Sequence, residues 1–209
     1  MKLTDLNIKD FAAQLASSAP APGGGSAAAL SGLMGVSLLE MVANLTVGRK
    51  KYAEHEELMQ SIITEAKNHH QALLNAIDLD AKAYDQVSAA YKLPKETDED
   101  KAARSAAIQK TLKAATLSPF AILAHCEQSL ELAQKAVGKA NTNAASDLGV
   151  CAMALKTGAQ GAWMNILINL MDIKDEDFVN DIKQKSQAAL AKTDAICDEI
   201  TKYVMAEIS

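Results

Sequence analysis

The chain has 209 residues, 49% of them apolar but only 4% aromatic, and a net charge of −5. That length supports one sizeable core without calling for a second domain, and an acidic chain without basic clusters interleaved with aromatics excludes nucleic acid as a partner. The three cysteines, Cys126, Cys151 and Cys197, are widely spaced and odd in number, which argues against a disulfide framework and for a reduced, cytoplasmic setting.

The first residues carry mixed charges and no apolar core, so no signal peptide is expected. Apolar spacing is helical almost throughout, beginning with Ile8, Phe11 and Leu15, and no strand pattern emerges. Next comes Ala19-Pro20-Ala21-Pro22-Gly23-Gly24-Gly25-Ser26. Two prolines stiffen this approach, three glycines free the backbone, and Ser26 is placed to cap the following helix. Unpaired N–H groups at such a helix start can bind an anion or a carboxylate. The stretch is neither a Walker loop, lacking the Lys-Ser/Thr ending, nor a dinucleotide fingerprint, lacking a preceding strand.

Residues 26–47 contain a single charge, Glu40. The segment is long enough to cross a membrane, but Ser31, Ser37, Asn44, Thr46 and its many small residues fit a central buried helix better. No membrane association is expected. Glu40 and Asn44 lie one turn apart, and a buried carboxylate there either joins a structural ion pair or acts at a site. Ala28, Gly32 and Gly35 form a thin face suited to helix packing or a subunit interface.

Gly48-Arg49-Lys50-Lys51 marks a break. A second helix is predicted from 52 to the mid-seventies and a third over 76–91, ending before Leu93-Pro94. On the third, Asp80 and Tyr84 are one turn apart and present an acid and a phenol together. Thr97 followed by Asp98, Glu99 and Asp100 starts another helix, and Ser118-Pro119 starts one more, ending near Gly138. Asn141-Thr142-Asn143 turns into a long helix over about 144–170, and a final amphipathic helix opens at Asp175. His55, His69 and His70 read as solvated. Adjacent His125 and Cys126 point in different directions, and no grouping has metal-site spacing. The expectation is an all-α fold: a single multi-helical bundle domain over residues 1–209 with long central helices.

The 144–170 helix carries an unusual stripe. At about 100° per residue, Asp147, Cys151, Gly158, Asn165 and Asn169 fall within about 40° of one another. The line is either a polar seam that fixes helix register or a binding face.

Together these segments resemble the cyclodeaminase/cyclohydrolase family of folate enzymes, whose module also forms the C-terminal half of the bifunctional formiminotransferase-cyclodeaminase. The resemblance spans the chain. It rests on Pro20 through Ser26, on Met41-Val42-Ala43-Asn44-Leu45-Thr46-Val47-Gly48-Arg49-Lys50-Lys51-Tyr52, on Asp80 through Tyr84 with Leu93-Pro94, and on Asn143 to Gly149 and Asn165 to Leu170. It implies an all-α homodimer acting on tetrahydrofolate, polyglutamylated or not, with no metal or redox cofactor. Two reactions occur in such a family: cyclodeamination of 5-formiminotetrahydrofolate to 5,10-methenyltetrahydrofolate, and cyclohydrolysis of the methenyl bridge to 10-formyltetrahydrofolate. Cyclodeamination is the leading reading and cyclohydrolysis the alternative. A non-catalytic helical dimerisation or ligand-binding module is the alternative of another class.

Chemistry and position then assign roles. Asp147 is the preferred proton shuttle, with Glu40, Asp80 and Tyr84 as further catalytic candidates. Asn165 and Asn169 are placed at the pterin edge, since amides offer donors and acceptors. Lys50 and Lys51, with the N–H groups around Gly23, Gly24, Gly25 and Ser26, are assigned to the glutamate tail, and Asn44 to substrate binding.

Overall fold

The computed structural model describes residues 2–209. Among these residues six α-helices follow one another: α1 (Ile8–Leu15), α2 (Gly24–Asn44), α3 (Glu56–Tyr91), α4 (Asp98–Ala136), α5 (Ala145–Leu170) and α6 (Glu176–Ile208). Short 3₁₀ turns occupy Leu3–Asp5, Lys50–His55 and Thr142–Ala144. The described residues contain no strand, and the all-α expectation holds.

Helices α2 and α5 form the centre. α3 flanks α2, α6 flanks α5, and α4 packs behind both. One core joins them, with Leu39, Met59, Leu73, Ile122, Leu155 and Ile200 withdrawn from solvent. Burying each such side chain contributes about 1.5–3 kcal/mol.

Small residues set how closely the central pair approaches. A methyl group on Gly158 would come within 2.9 Å of the Ala28 carbonyl oxygen and the Gly32 nitrogen, and Gly35 similarly faces Leu155 and the Cys151 carbonyl. The pair is antiparallel: Gly24 meets Asn165, Ala28 meets Gly161, and Gly35 meets Cys151. The thin face of α2 is therefore used inside the chain. With a mean hydropathy of 1.5, α2 is long and apolar enough to cross a membrane, but its buried face belongs to this bundle.

Three local expectations are corrected. First, α3 is continuous through the mid-seventies, because Leu73, Ala76 and Ile77 stay in phase with the core and no glycine or proline interrupts them. Second, α4 runs through Pro119 instead of restarting there. Proline has no N–H to give the carbonyl one turn back, and Asn169 Nδ2 donates to that carbonyl, on Ala115, at 3.2 Å. Third, Gly23 is the N-cap of α2. Ser26 lies inside the helix, and its hydroxyl donates to the Ile77 carbonyl at 2.9 Å.

Other boundaries fall where local chemistry puts them. Thr97 and Asp100 form a reciprocal capping box at the start of α4, and Asp175 accepts from the Phe178 N–H at the start of α6. Gly138 ends the α4 region at φ 71°, and Gly48 makes the turn after α2 at φ 75°, conformations that favour glycine.

His69 and His70 are packed between helices rather than solvated. His69 and His125 bring their Nδ1 atoms to 3.0 Å across α3 and α4, with the rings edge to face. His70 Nδ1 lies 3.2 Å from Ser37 Oγ on α2.

Candidate active site

The residues singled out in the sequence divide between two ends of the α2–α5 pair. Gly23, Gly24, Gly25 and Ser26 open α2, where it meets α3 and the C-terminal half of α5. Glu40, Asn44, Lys50, Lys51 and Asp147 lie towards the opposite end. At 1.5 Å per residue, Gly25 and Asn44 are about 28 Å apart along α2, and Asp147 and Asn165 about 27 Å apart along α5. The polar stripe on α5 is real as a helical phase, but its ends belong to different places.

At the first end, α3 supplies Asp80 and Tyr84, and α5 supplies Asn165 and Asn169, to a cavity of about 300 Å³ floored by Gly23, Gly24 and Gly25. Asp80 is its chemical centre. A side chain at position 25 would overlap the Asp80 carboxylate, so glycine is what allows the acid to sit over the start of α2. Burial raises the Asp80 pKa above its ordinary 3.8, while bonds from the Ser26 N–H and hydroxyl hold it back in part. The Ser26 Oγ is 3.5 Å from Asp80 Oδ2. The chain thus supplies its own carboxylate to the N-terminal N–H groups of α2, where the sequence suggested that a ligand anion would bind.

The two amides are partly committed. Asn165 Nδ2 donates to the Gly161 carbonyl at 2.9 Å, and Asn169 Nδ2 to Ala115. Each keeps acceptor capacity and a second amide hydrogen for the cavity. Val87, Ala115 and Ile168 provide apolar walls. Sequence inspection missed these walls, although Val87 follows Tyr84, and Ile168 follows Asn165, at three-residue helical spacing. The arrangement combines an apolar-walled slot, directional amides, a phenol and a carboxyl whose proton is held more tightly than in water. It is suited to recognising a heteroaromatic edge and moving a proton beside it.

At the second end, Arg49, Lys50, Lys51 and Tyr52 border a concavity of about 390 Å³ with the Asn141–Asn143 segment. Asn141 ties this end together: its N–H donates to Thr46 Oγ1 at 2.9 Å, and its Nδ2 to the Leu45 carbonyl at 3.0 Å. Tyr52 Oη accepts the Thr142 N–H at 3.0 Å. Hydrogen bonds from Thr142, with Lys51 nearby, bring the phenol down from 10.0 to about 8. Asn44 is exposed and Asp147 half-buried. Among the described residues Glu40 forms no salt bridge, so the structural ion pair open to it in the sequence is not made. Lys50 and Lys51 therefore cannot share one ligand tail with Gly24 and Gly25 of the same chain along a direct path.

Among the described residues no three His, Cys, Asp or Glu side chains converge as a metal site. The thiols of Cys126 and Cys151 are buried, and burial pushes both up to about 12.

Comparison with known proteins gives this geometry a family. Residues 7–188 match the family described as formiminotransferase-cyclodeaminase. The chain is 39% identical over 202 residues to the methenyltetrahydrofolate cyclohydrolase of Methylorubrum extorquens, covering 97% of each. It is 36% identical over 190 residues to the formimidoyltransferase-cyclodeaminase of Sus scrofa, covering 90% of this chain but 35% of the longer pig enzyme. Its fold matches the solved formiminotetrahydrofolate cyclodeaminase of Thermotoga maritima with a TM-score of 0.89, at 26% identity and over 98% of both chains. End-to-end similarity in sequence and fold leads to one conclusion: the chain belongs to the formiminotransferase-cyclodeaminase family.

Proposed function

We propose that this chain is a tetrahydrofolate one-carbon enzyme working at the methenyl bridge, with cyclodeamination of 5-formiminotetrahydrofolate as its reaction. The observation that carries the reading is Asp80, a carboxyl with a burial-raised pKa over the glycine start of α2, facing two amides across an apolar slot. In this reaction N10 attacks the formimino carbon and loses its proton, and the bond from that carbon to the departing nitrogen breaks. Ammonia leaves, and the product carries a cationic N5–C–N10 bridge. Asp80 relays the N10 proton to the departing nitrogen and gives up its own as well, so that the nitrogen gains the two hydrogens it needs to leave as ammonia and the ionised carboxylate faces the developing cation. Positioned acid–base catalysis of this kind contributes about 10²–10⁴-fold.

Asp80 replaces Asp147 as the preferred proton shuttle, because Asp147 lines neither the Asp80 cavity nor the basic one. Tyr84 stands one turn from Asp80, and the remaining hydrogen-bonding capacity of Asn165 and Asn169 addresses the pterin edge. The one-carbon unit keeps its oxidation level throughout, so the reading assigns no redox cofactor, and the carboxyl does the work asked of it without a metal. The working form is a homodimer.

A second reading, cyclohydrolysis of 5,10-methenyltetrahydrofolate, is supported by the end-to-end likeness to a cyclohydrolase. There Asp80 takes a proton from water as the water adds to the bridge carbon, and returns it to N5 as the bond from that carbon to N5 breaks, leaving the formyl group on N10. One assay separates the two: methenyl absorbance rises with formiminotetrahydrofolate under the first reading and falls with methenyltetrahydrofolate under the second. A protein that changes neither signal above the uncatalysed rate refutes both.

A further inference from the structure

We infer that His69 of α3 and His125 of α4 form a two-histidine site for a divalent late transition-metal ion, outside the Asp80 cavity, that clamps the two helices together. The ion is of the class that takes imidazole nitrogens in a square-planar or octahedral arrangement, as Ni²⁺ and Cu²⁺ do.

The two imidazoles converge. The chain has four histidines, and two of them, 56 positions apart, bring their Nδ1 atoms to 3.0 Å across the α3–α4 seam. Without an ion, the contact is a hydrogen bond in which one ring carries its proton on Nδ1. With an ion, a swivel of both rings turns two lone pairs onto one point, and each ring keeps its proton on Nε2.

The distance selects the class of ion. Imidazole–metal bonds are about 2.0–2.1 Å long, so nitrogens 3.0 Å apart close an angle of about 90–97° at a shared ion. That is the angle between neighbouring ligands of a square-planar or octahedral ion. A tetrahedral zinc ion needs the nitrogens roughly 0.3–0.4 Å further apart.

Charge state and access both suit a cation. Burial holds the two imidazoles below 6.5, so at neutral pH they are in the unprotonated form that binds a metal. Both are half-buried. A cleft of about 530 Å³ between the helices, walled by Ala72, Leu79, Leu117 and Ala121, opens onto His125 and leaves room for water in the remaining coordination positions. Exposed Glu65, one turn before His69 on the same face, adds negative charge beside the pair while its carboxylate accepts from Ser61 at 3.0 Å. Cys126 takes no part, because its thiol is turned into the core towards Gly32 and Gly158.

Along α3 the pair is about 17 Å from Asp80, so the ion acts on helix packing and not on the reacting atoms. Unfolding parts the two imidazoles, so an ion held by both favours the folded chain.

Titration of the tag-free protein with Ni²⁺ tests this. Calorimetry should show one site per chain, and thermal melts a Tm that rises with Ni²⁺. Proton NMR should show paramagnetic broadening of the ring signals of two histidines, His69 and His125. His69→Gln and His125→Gln should each abolish the Tm rise and weaken Ni²⁺ binding by at least the roughly 10–100-fold that loss of even a ligand's supporting partner costs. His55→Gln should keep both properties, and circular dichroism checks that the variants fold. The inference is overturned if Ni²⁺ shows no saturable binding, if either single substitution leaves the affinity within a few-fold of wild type, or if other histidines broaden in the wild-type protein, a result that stands even where a variant unfolds. Zn²⁺ bound more tightly than Ni²⁺ overturns the class of ion. None of these readouts involves a folate, so they stand or fall apart from the proposed reaction.

Discussion

The carboxylate of Asp80 occupies the space that a side chain on Gly25 would need. The glycine run that marks the sequence therefore serves an acid 55 positions away, which caps the opening turn of α2 through Ser26. Gly25→Ala must displace the acid or α3. Overpacking of this kind costs about 1–3 kcal/mol. Denaturant unfolding should show that loss together with a collapse in turnover, whereas Gly23→Ala, 4.0 Å from its nearest neighbour, should be milder.

Asp80→Asn should separate activity from stability. A carboxyl whose folded pKa lies above its unfolded 3.8 adds stability while protonated and loses it as pH rises through the folded value. At neutral pH, above the unfolded value, the acid is thus a cost, and its amide isostere removes the cost while keeping an acceptor for Ser26. We expect kcat to fall by about 10²–10⁴-fold with Tm at pH 7 unchanged or raised. Asp147→Asn should leave kcat within a few-fold of wild type. Steady-state kinetics on the two variants decide between the acids.

The His69–His125 contact predicts an acid-sensitive junction between α3 and α4. Burial lowers both imidazoles below 6.5, and Glu65 opposes this at His69 only. Groups depressed in this way contribute stability above the unfolded pKa, and it is lost as pH falls from 6.5 through the folded values. Thermal melts between pH 7 and 5 should show a falling Tm, and His125→Gln should flatten that slope.

Gly158→Ala tests the central crossing. Alanine is favoured over glycine mid-helix by about 1 kcal/mol, yet here its methyl meets the Ala28 carbonyl and the Gly32 nitrogen at 2.9 Å. Backbone cannot swing aside as a side chain does, so a net loss of stability is expected by calorimetry.

Tyr52 reports on the basic end. Its phenolate absorbance should titrate near 8, and Thr142→Ala should move it back towards 10.0, because the Thr142 hydroxyl is the leading cause of the shift.

Much of the fold was legible in the residues themselves. Thr97 with Asp100, Asp175, Gly138 and the absence of strand periodicity are local signals, read over a few positions, and each boundary they mark is where the chain turns. Pro119 misled for an equally physical reason. Proline disrupts a helix by leaving a carbonyl unpaired, and the partner that repairs it, Asn169, lies 50 residues further on in another helix. His69 and His70 misled because a polar run on a helix looks solvated until a second helix covers it.

The candidate site was legible only in part, and the division follows from geometry. Helical phase shows which side chains share a face, so Asp147, Asn165 and Asn169 were grouped correctly by direction. Phase says nothing of distance along the rod, and about 27 Å separates the first two. The sequence by itself determined the helices, their caps and the family motifs, because these depend on neighbours within a turn or two. Only the tertiary structure decided which motifs meet. The antiparallel α2–α5 packing, set by Gly32, Gly35 and Gly158, carries Gly25 to Asn165 and past Asp80 of α3, leaving the lysines at the other end.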